Sequence, residues 1–397
     1  MKKIAAFITA FALFIGFTGC VRGYVFSNDL YDKTGAFKTW YNQYKDKDTE
    51  ALIENIDKDT MLVFGSSEFG HQRKSKYHLR NMFTKDQLNV MTIGEAFSQT
   101  FIHTINLGAL APHISNNKVV LIISPTWFLG TKIDRNQFSY RFSDTAYIGL
   151  LQNNNIPAKL KNRIAARVET LLADDSKKLK RVKAYNAVYI DNTKNPVTLA
   201  IEGKYEDDIK TEVRTNLIAA RKAYKESTTT QTIASSYTTD GAVDFEALLF
   251  RAYKSSLKDS DNPLYIPDKK WYKTYRKKYD TMVGAHDFDR MDVSEEYGDL
   301  KLFLEICKAE NIKPLLIIQP LNGYWYDRTG LSSDKRELFN EKIRSISKRY
   351  GAEVSDLSYY DYVPYVMSDS VHPWKEGWVL LNESIYNFYH DIKDSDE

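Results

Sequence analysis

Apolar residues along this chain fall into short continuous runs separated by longer stretches with helical spacing. The runs cover residues 61–64, ending at Gly65, then 90–93, ending at Gly94, and 119–123, ending at Ser124-Pro125. A fourth covers 314–318, ending at Gln319-Pro320, and a shorter fifth covers 352–354, before Ser355-Asp356. Runs of this length, bounded by Gly, Pro and Ser, read as strands buried on both faces. Helical periods occupy about 96–111, 295–310 and 334–350. The alternation predicts an α/β fold: a three-layer α/β/α sandwich around a mostly parallel five-stranded sheet. In such a sheet, sites collect at the carboxyl ends of the strands.

Two stretches depart from the alternation. Residues from about 136 to 293 are charged and helical in spacing, without comparable apolar strands. Because a strand returns to the sheet afterwards, this reads as a helical insertion. Residues 159–183 within it carry nine basic and three acidic side chains, a pattern more typical of a solvated helix face than of a binding site. At the other end, Lys2 and Lys3 precede an uncharged run of 18 residues, 4–21. That is close to the minimum that spans a hydrocarbon core of ~30 Å. Positive charge ahead of the run predicts an inside N-terminus and an extracytoplasmic body. Phe17-Thr18-Gly19-Cys20 resembles a bacterial lipoprotein cleavage box, so residues 1–23 read as an uncleaved anchor or a lipoprotein-type signal, with full secretion as a third alternative. Residues 24–397 are then one extracytoplasmic domain at the cell membrane, opening with a helical, tyrosine-rich lead-in over 24–59.

Composition removes several classes of function. With 43% hydrophobic and 27% charged residues in 397, the chain is an ordinary globular protein. A net charge of +3 gives no footprint for nucleic acid. Two cysteines cannot make a disulfide framework, and Cys307 sits in an apolar helical stretch. Neither a metal-binding spacing of Cys and His nor a glycine-rich phosphate loop is present. The 27 tyrosines suit contact with glycans or a membrane interface as well as burial.

Two short segments carry candidate chemistry. Ser67, in Gly65-Ser66-Ser67-Glu68-Phe69, follows the first strand, where a glycine turn presents a hydroxyl at the sheet edge. Such a serine needs an adjacent base to become nucleophilic. Asp369 and His372, in Asp369-Ser370-Val371-His372-Pro373, let one loop supply both a base and the carboxylate that fixes its tautomer. The other histidines, among them His71 and His78, lack an equally placed acid and read as surface or packing residues. Arg73, Lys74, Lys76 and Arg80 follow closely after the serine, where they can pair with phosphates or simply coat a helix.

A serine after the first strand with Asp-x-x-His near the C-terminus resembles the SGNH (GDSL-like) hydrolase order. The flanking blocks narrow the likeness. Gly65-Ser66-Ser67-Glu68, Ser98-Gln99 after Gly94, and Ser124-Pro125-Thr126-Trp127-Phe128 resemble blocks of the DltD proteins of teichoic acid D-alanylation. So do Glu296-Tyr297-Gly298-Asp299-Leu300, the stretch from Asn322 to Gly330, and the closing block from Asp369 to Trp378. The chain departs from that pattern at Thr126, where the family usually has glutamine, and at Phe97, where it tends to have glycine. It also lacks a clear counterpart of the SGNH asparagine.

The resemblance implies a Ser67–His372–Asp369 triad, oxyanion stabilisation by the backbone at Ser67 or Glu68, and Gly94 and Gln99 beside it. Asn322 and Trp325 would either shape the substrate rim or play a purely structural part, and Arg73 and Lys74 would meet phosphate. The implied reaction is D-alanyl transfer to lipoteichoic or wall teichoic acid outside the membrane of a Gram-positive envelope, through an acyl-serine, with no metal or organic cofactor required. The partners would be the polyanionic acceptor and a D-alanyl donor delivered by a multi-pass membrane acyltransferase. Two other readings fit the same residues: an SGNH-type esterase or thioesterase, and a non-enzymatic scaffold that binds an acyl carrier or D-alanylation partners.

Overall fold

The computed structural model describes residues 2–224, 232–239 and 241–392. Its strands are β1 (Met61–Phe64), β2 (Val90–Ile93), β3 (Lys118–Ile123), β4 (Thr238–Thr239), β5 (Ala242–Val243), β6 (Lys313–Ile318) and β7 (Glu353–Asp356). Five of them form one sheet in the order β2-β1-β3-β6-β7, and every neighbouring pair is parallel. The remaining two, β4 and β5, make a small antiparallel hairpin within the long segment between β3 and β6.

Period-two alternation explains why such short runs hold the sheet. Leu62 and Phe64 of β1 enter one core, while Met61 and Val63 enter the other. In β6, Leu316 and Ile318 face the first core and Leu315 and Ile317 the second. Each such residue, fully buried, contributes roughly 1.5–3 kcal/mol. The first face is covered by helices Thr100–Leu110, Glu296–Ala309 and Ser333–Tyr350. The second is covered by the C-terminal helix Lys375–Tyr389, through Trp378, Val379, Leu381 and Ile385, and by Phe245–Ser256, through Leu248 and Ala252. The segment between β3 and β6 therefore helps to build the third layer as well as extending outward.

The three arginines of that segment's basic run are engaged in ion pairs. Arg167 takes both oxygens of Asp299, at 3.1 and 2.9 Å, and Arg181 takes both of Asp144, at 2.7 and 2.9 Å. Arg163 pairs with Glu305. These contacts clamp helices Ala158–Leu171 and Ser176–Tyr189 onto their neighbours.

Three local expectations are corrected. The helix expected from residue 96 begins at Thr100, because Phe97 takes a left-handed backbone (φ 73°) and the Glu296 carboxylate accepts the Thr100 N–H at 2.7 Å. The tyrosine-rich lead-in is mostly irregular, with a single turn at Ala36–Thr39 and a short helix at Thr49–Glu54. Its first residues extend the N-terminal helix, which runs Lys2–Ser27. At 26 residues and ~39 Å, that helix is long and apolar enough to cross a membrane, and all its described side chains except Val25 face outward or are only partly covered.

Candidate active site

Strand order reverses at β1, with β2 on one side and β3 on the other. The carboxyl end of β1 is thus the topological switch point, where parallel sheets open a crevice. The chain leaves β1 through Gly65 and enters a single 3-10 turn, Ser67–Gly70. Gly65 is required by space: a Cβ there would lie 2.1 Å from the Glu68 carboxylate and 2.7 Å from the Phe69 ring. Glu68 folds back beneath the turn, 2% exposed, and accepts the Ser66 N–H. Its carboxyl is pushed up by burial, against the opposing pull of the Ser66 and Glu68 N–H groups and of His372. The turn therefore presents Ser67 at its start and His71 at its end.

The second contribution comes from the loop after β7. A bridge between Met367 and Pro373 closes it, and Ser368 N–H donates to the His372 carbonyl at 2.8 Å. Asp369 accepts the backbone N–H of Val371 at 3.0 Å and of His372 at 2.9 Å. Both its oxygens lie 2.9 Å from His372 Nδ1, which fixes the tautomer with a proton on Nδ1. The free Nε2 then lies 2.8 Å from Ser67 Oγ. Lys270 Nζ sits 3.1 Å from the outer Asp369 oxygen. Burial alone would raise the Asp369 carboxyl. The hydrogen bond and charge of His372, the Val371 N–H and Lys270 outweigh it and hold that group well below the usual carboxylate range.

His71 is the residue that sequence reasoning left out of the site. Its ring stacks on His372 with centroids 3.5 Å apart and planes 5° from parallel. Burial, followed by the nearby His372, lowers its pKa from 6.5 to about 4, so it is neutral near pH 7. The only available signal was its position four residues after Ser67, one turn along. His71, Asp369 and His372 also lie close enough to ligate one cation. Both ring nitrogens of His372 are already engaged, by Asp369 and Ser67, and the Lys270 ammonium faces the carboxylate, so the arrangement suits a hydrogen-bonded relay better than a metal.

The other expected site residues divide sharply. Gly94 does lie against the serine turn: at φ 138°, a Cβ there would fall 1.8 Å from the Gly65 carbonyl oxygen. Its N–H, though, already donates to Asp46 at 2.8 Å, so it is not an oxyanion donor as the chain stands. Neighbouring amides are occupied too, Glu95 N–H by Ser98 Oγ and Ala96 N–H by Tyr41. Arg141 bonds both the Glu95 carboxylate and the Ala96 carbonyl, locking this loop. Ser67 opens its turn, where helical geometry leaves the amide without an internal partner. Gln99, half-buried at the N-terminus of Thr100–Leu110, keeps its side chain uncommitted among the described contacts.

Of the two roles open to Asn322 and Trp325, their contacts describe the structural one. Asn322 caps helix Gly323–Thr329 by accepting Trp325 N–H at 3.0 Å and donates to the Leu264 carbonyl. Trp325 is buried edge-on against Tyr275, whose hydroxyl bonds Ser370 at 2.9 Å. Arg73 is likewise drawn inward, donating to the carbonyls of Thr39 and Phe69, whereas Lys74 is exposed.

Comparison with known proteins covers most of the chain. The profile of the family described as DltD protein matches residues 35–390. Protein DltD of Bacillus subtilis (strain 168) is 26% identical over 337 residues, covering 84% of this chain and 83% of that protein. Protein DltD of Staphylococcus aureus is 26% identical over 327 residues, covering 81% and 79%. Protein DltD of Lacticaseibacillus rhamnosus is 25% identical over 361 residues, covering 87% and 80%. With a match this long, running from the lead-in through the serine turn to the C-terminal helix, the chain belongs to the DltD family.

Proposed function

We propose that this protein transfers D-alanyl groups to a teichoic acid outside the membrane, with Ser67 as nucleophile, His372 as general base and acid, and Asp369 as its orienting partner. Family membership supports the pathway, since DltD proteins take part in teichoic acid D-alanylation. The observation that carries the chemistry is the hydrogen-bonded line from Ser67 Oγ through His372 to Asp369 at the sheet's switch point.

In the first half-reaction Ser67 Oγ attacks the carbonyl carbon of an activated D-alanyl donor while His372 Nε2 takes the hydroxyl proton. Asp369 stabilises the resulting imidazolium. The Ser67 N–H faces the developing oxyanion, and the donor's leaving group departs with the proton from His372. In the second half-reaction a polymer hydroxyl gives its proton to His372 and attacks the acyl-serine. Collapse of that intermediate returns the proton to Ser67 and leaves a D-alanyl ester on the polymer. Residues 1–23 would hold the chain in the membrane with the remainder outside, next to a membrane acyltransferase that supplies the donor.

Ester-linked D-alanine on teichoic acid, measured in cells whose own copy is replaced by this chain, tests the proposal. Ser67→Ala protein of normal abundance should leave only background D-alanine. Retained D-alanine would remove the enzymatic role and favour a scaffold. Free D-alanine released without ester formation would identify a hydrolase.

A further inference from the structure

Six of the twelve residues from 268 to 279 are basic: Lys269, Lys270, Lys273, Arg276, Lys277 and Lys278. They alternate with Trp271, Tyr272, Tyr275 and Tyr279. The segment is helical throughout, with a π-helical turn at Trp271–Tyr275. Such turns are rare and recur at functional sites.

Its two faces differ. Trp271 and Tyr275 point inward, where Tyr275 packs on Trp325 and bonds Ser370 through its hydroxyl, which also accepts the Ser370 N–H. Lys270 reaches Asp369 at 3.1 Å. The segment is thus fastened along the loop that holds Asp369 and His372. Lys269, Lys273 and Lys277 are exposed on the opposite face, about one helical turn apart, with exposed Arg276 and Tyr272 beside them. Among the described residues none of these four takes part in an ion pair. The one acid within the segment, Asp268, is bonded to Asp261 N–H and Asn262.

The other two basic clusters do not have this combination. Arg73 donates to backbone carbonyls, and Arg163, Arg167 and Arg181 are paired with acids. We infer that the outward face of residues 268–279 is the track that binds the polyanionic acceptor, a phosphodiester-linked polyol chain. The inference rests on the acyl-transfer reading of Ser67. Regularly spaced cations match a regularly spaced phosphate backbone. The exposed tyrosine offers a hydroxyl and an aromatic face to the polyol between phosphates. The Lys270 end delivers the polymer to the relay, so a hydroxyl of the bound chain can approach His372. A bilayer-facing patch would instead present bulky apolar side chains, whereas Tyr272 is the only large aromatic on this outward face.

The test uses the full chain in phosphatidylcholine nanodiscs and end-labelled, lipid-free poly(glycerol phosphate), read by fluorescence anisotropy. The wild type should bind in a salt-dependent manner. A Lys269→Gln/Lys273→Gln/Arg276→Gln variant should bind on the order of 100-fold more weakly. Its rate of fluorophosphonate labelling at Ser67 should be unchanged, because none of the three touches the relay. Lys177→Gln/Lys180→Gln/Lys183→Gln, on the surface of another helix, should bind like the wild type. Equal polymer binding by the first variant and the wild type would overturn the track. So would displacement of the polymer by phosphatidylglycerol vesicles at a lower phosphate concentration than by unlabelled polymer, which would make the face a lipid contact. If polymer binding falls as expected while wild-type Ser67 resists labelling, the track stands and the serine chemistry fails.

Discussion

Replacing His71 separates ring packing from protonation at the site. In the folded chain its ring lies 3.5 Å from that of His372, and burial with the neighbouring His372 brings its pKa from 6.5 down to about 4. The unfolded chain protonates this histidine near 6.5 while the folded chain keeps it neutral. Its contribution to stability is therefore complete above pH ~6.5 and is lost as pH falls toward 4. At pH ~5 the loss is about 2 kcal/mol before solvent screening, and the ring is partly exposed, so about 1 kcal/mol is expected. His71→Phe keeps a flat ring on His372 and removes the titrating nitrogens. Urea unfolding at pH ~7.5 and ~5 should show the variant losing about 1 kcal/mol less than the wild type. Fluorophosphonate labelling of Ser67 should stay within about threefold of wild type in His71→Phe. In His71→Ala, which strips a stack worth roughly 0.5–1.5 kcal/mol, it should slow by up to about tenfold. Equal slowing in both variants would refute the packing argument and make a His71 nitrogen the important group. An unchanged pH dependence in His71→Phe would refute a neutral His71.

The loop beside the serine yields three further expectations. Gly94→Ala places a Cβ 1.8 Å from the Gly65 carbonyl oxygen, so it should destabilise the fold by more than about 2 kcal/mol and slow Ser67 labelling together, as read by thermal unfolding and labelling rate. Arg141→Ala leaves the Glu95 carboxylate, 10% exposed, without its cation, and should cost about 3–5 kcal/mol in urea unfolding. Phe97→Gly relieves a left-handed backbone (φ 73°) at a side chain 53% exposed, so stability should hold or rise by up to about 1 kcal/mol. A drop of that size would mean that the Phe97 ring makes a contact the fold depends on.

How much the sequence revealed follows from where each signal resides. The central strands were legible because residues such as Val63, Val120 and Leu316 are buried on both faces, which demands unbroken apolar runs. The edge strand β7 is half-covered and correspondingly faint, and it lies at 353–356 against an expected 352–354. The start of Thr100–Leu110 depends on Glu296, nearly 200 residues away, and so has no local signature. The C-terminal helix Lys375–Tyr389 went unread although Trp378, Val379, Leu381 and Ile385 carry its buried stripe. Within the candidate site, Ser67 and Asp-x-x-His are each a weak signal alone and stand out only by their combined order along the chain. The occupied Gly94 amide, the inward turn of Asn322 and Trp325, and the His71 stack depend on partners such as Asp46, Leu264, Tyr275 and His372. The basic segment 268–279 has no local mark within the charged stretch 136–293, because its distinction lies in an inner face bonded to Asp369 and Ser370.

The central claim is that His372 activates Ser67. Intact-mass spectrometry of the full chain in native membranes after treatment with a fluorophosphonate, followed by peptide mapping, tests it directly. A single adduct on Ser67 that disappears in both Ser67→Ala and His372→Ala is the predicted result. An unlabelled wild type, or a His372→Ala protein labelled as fast as the wild type, would contradict it.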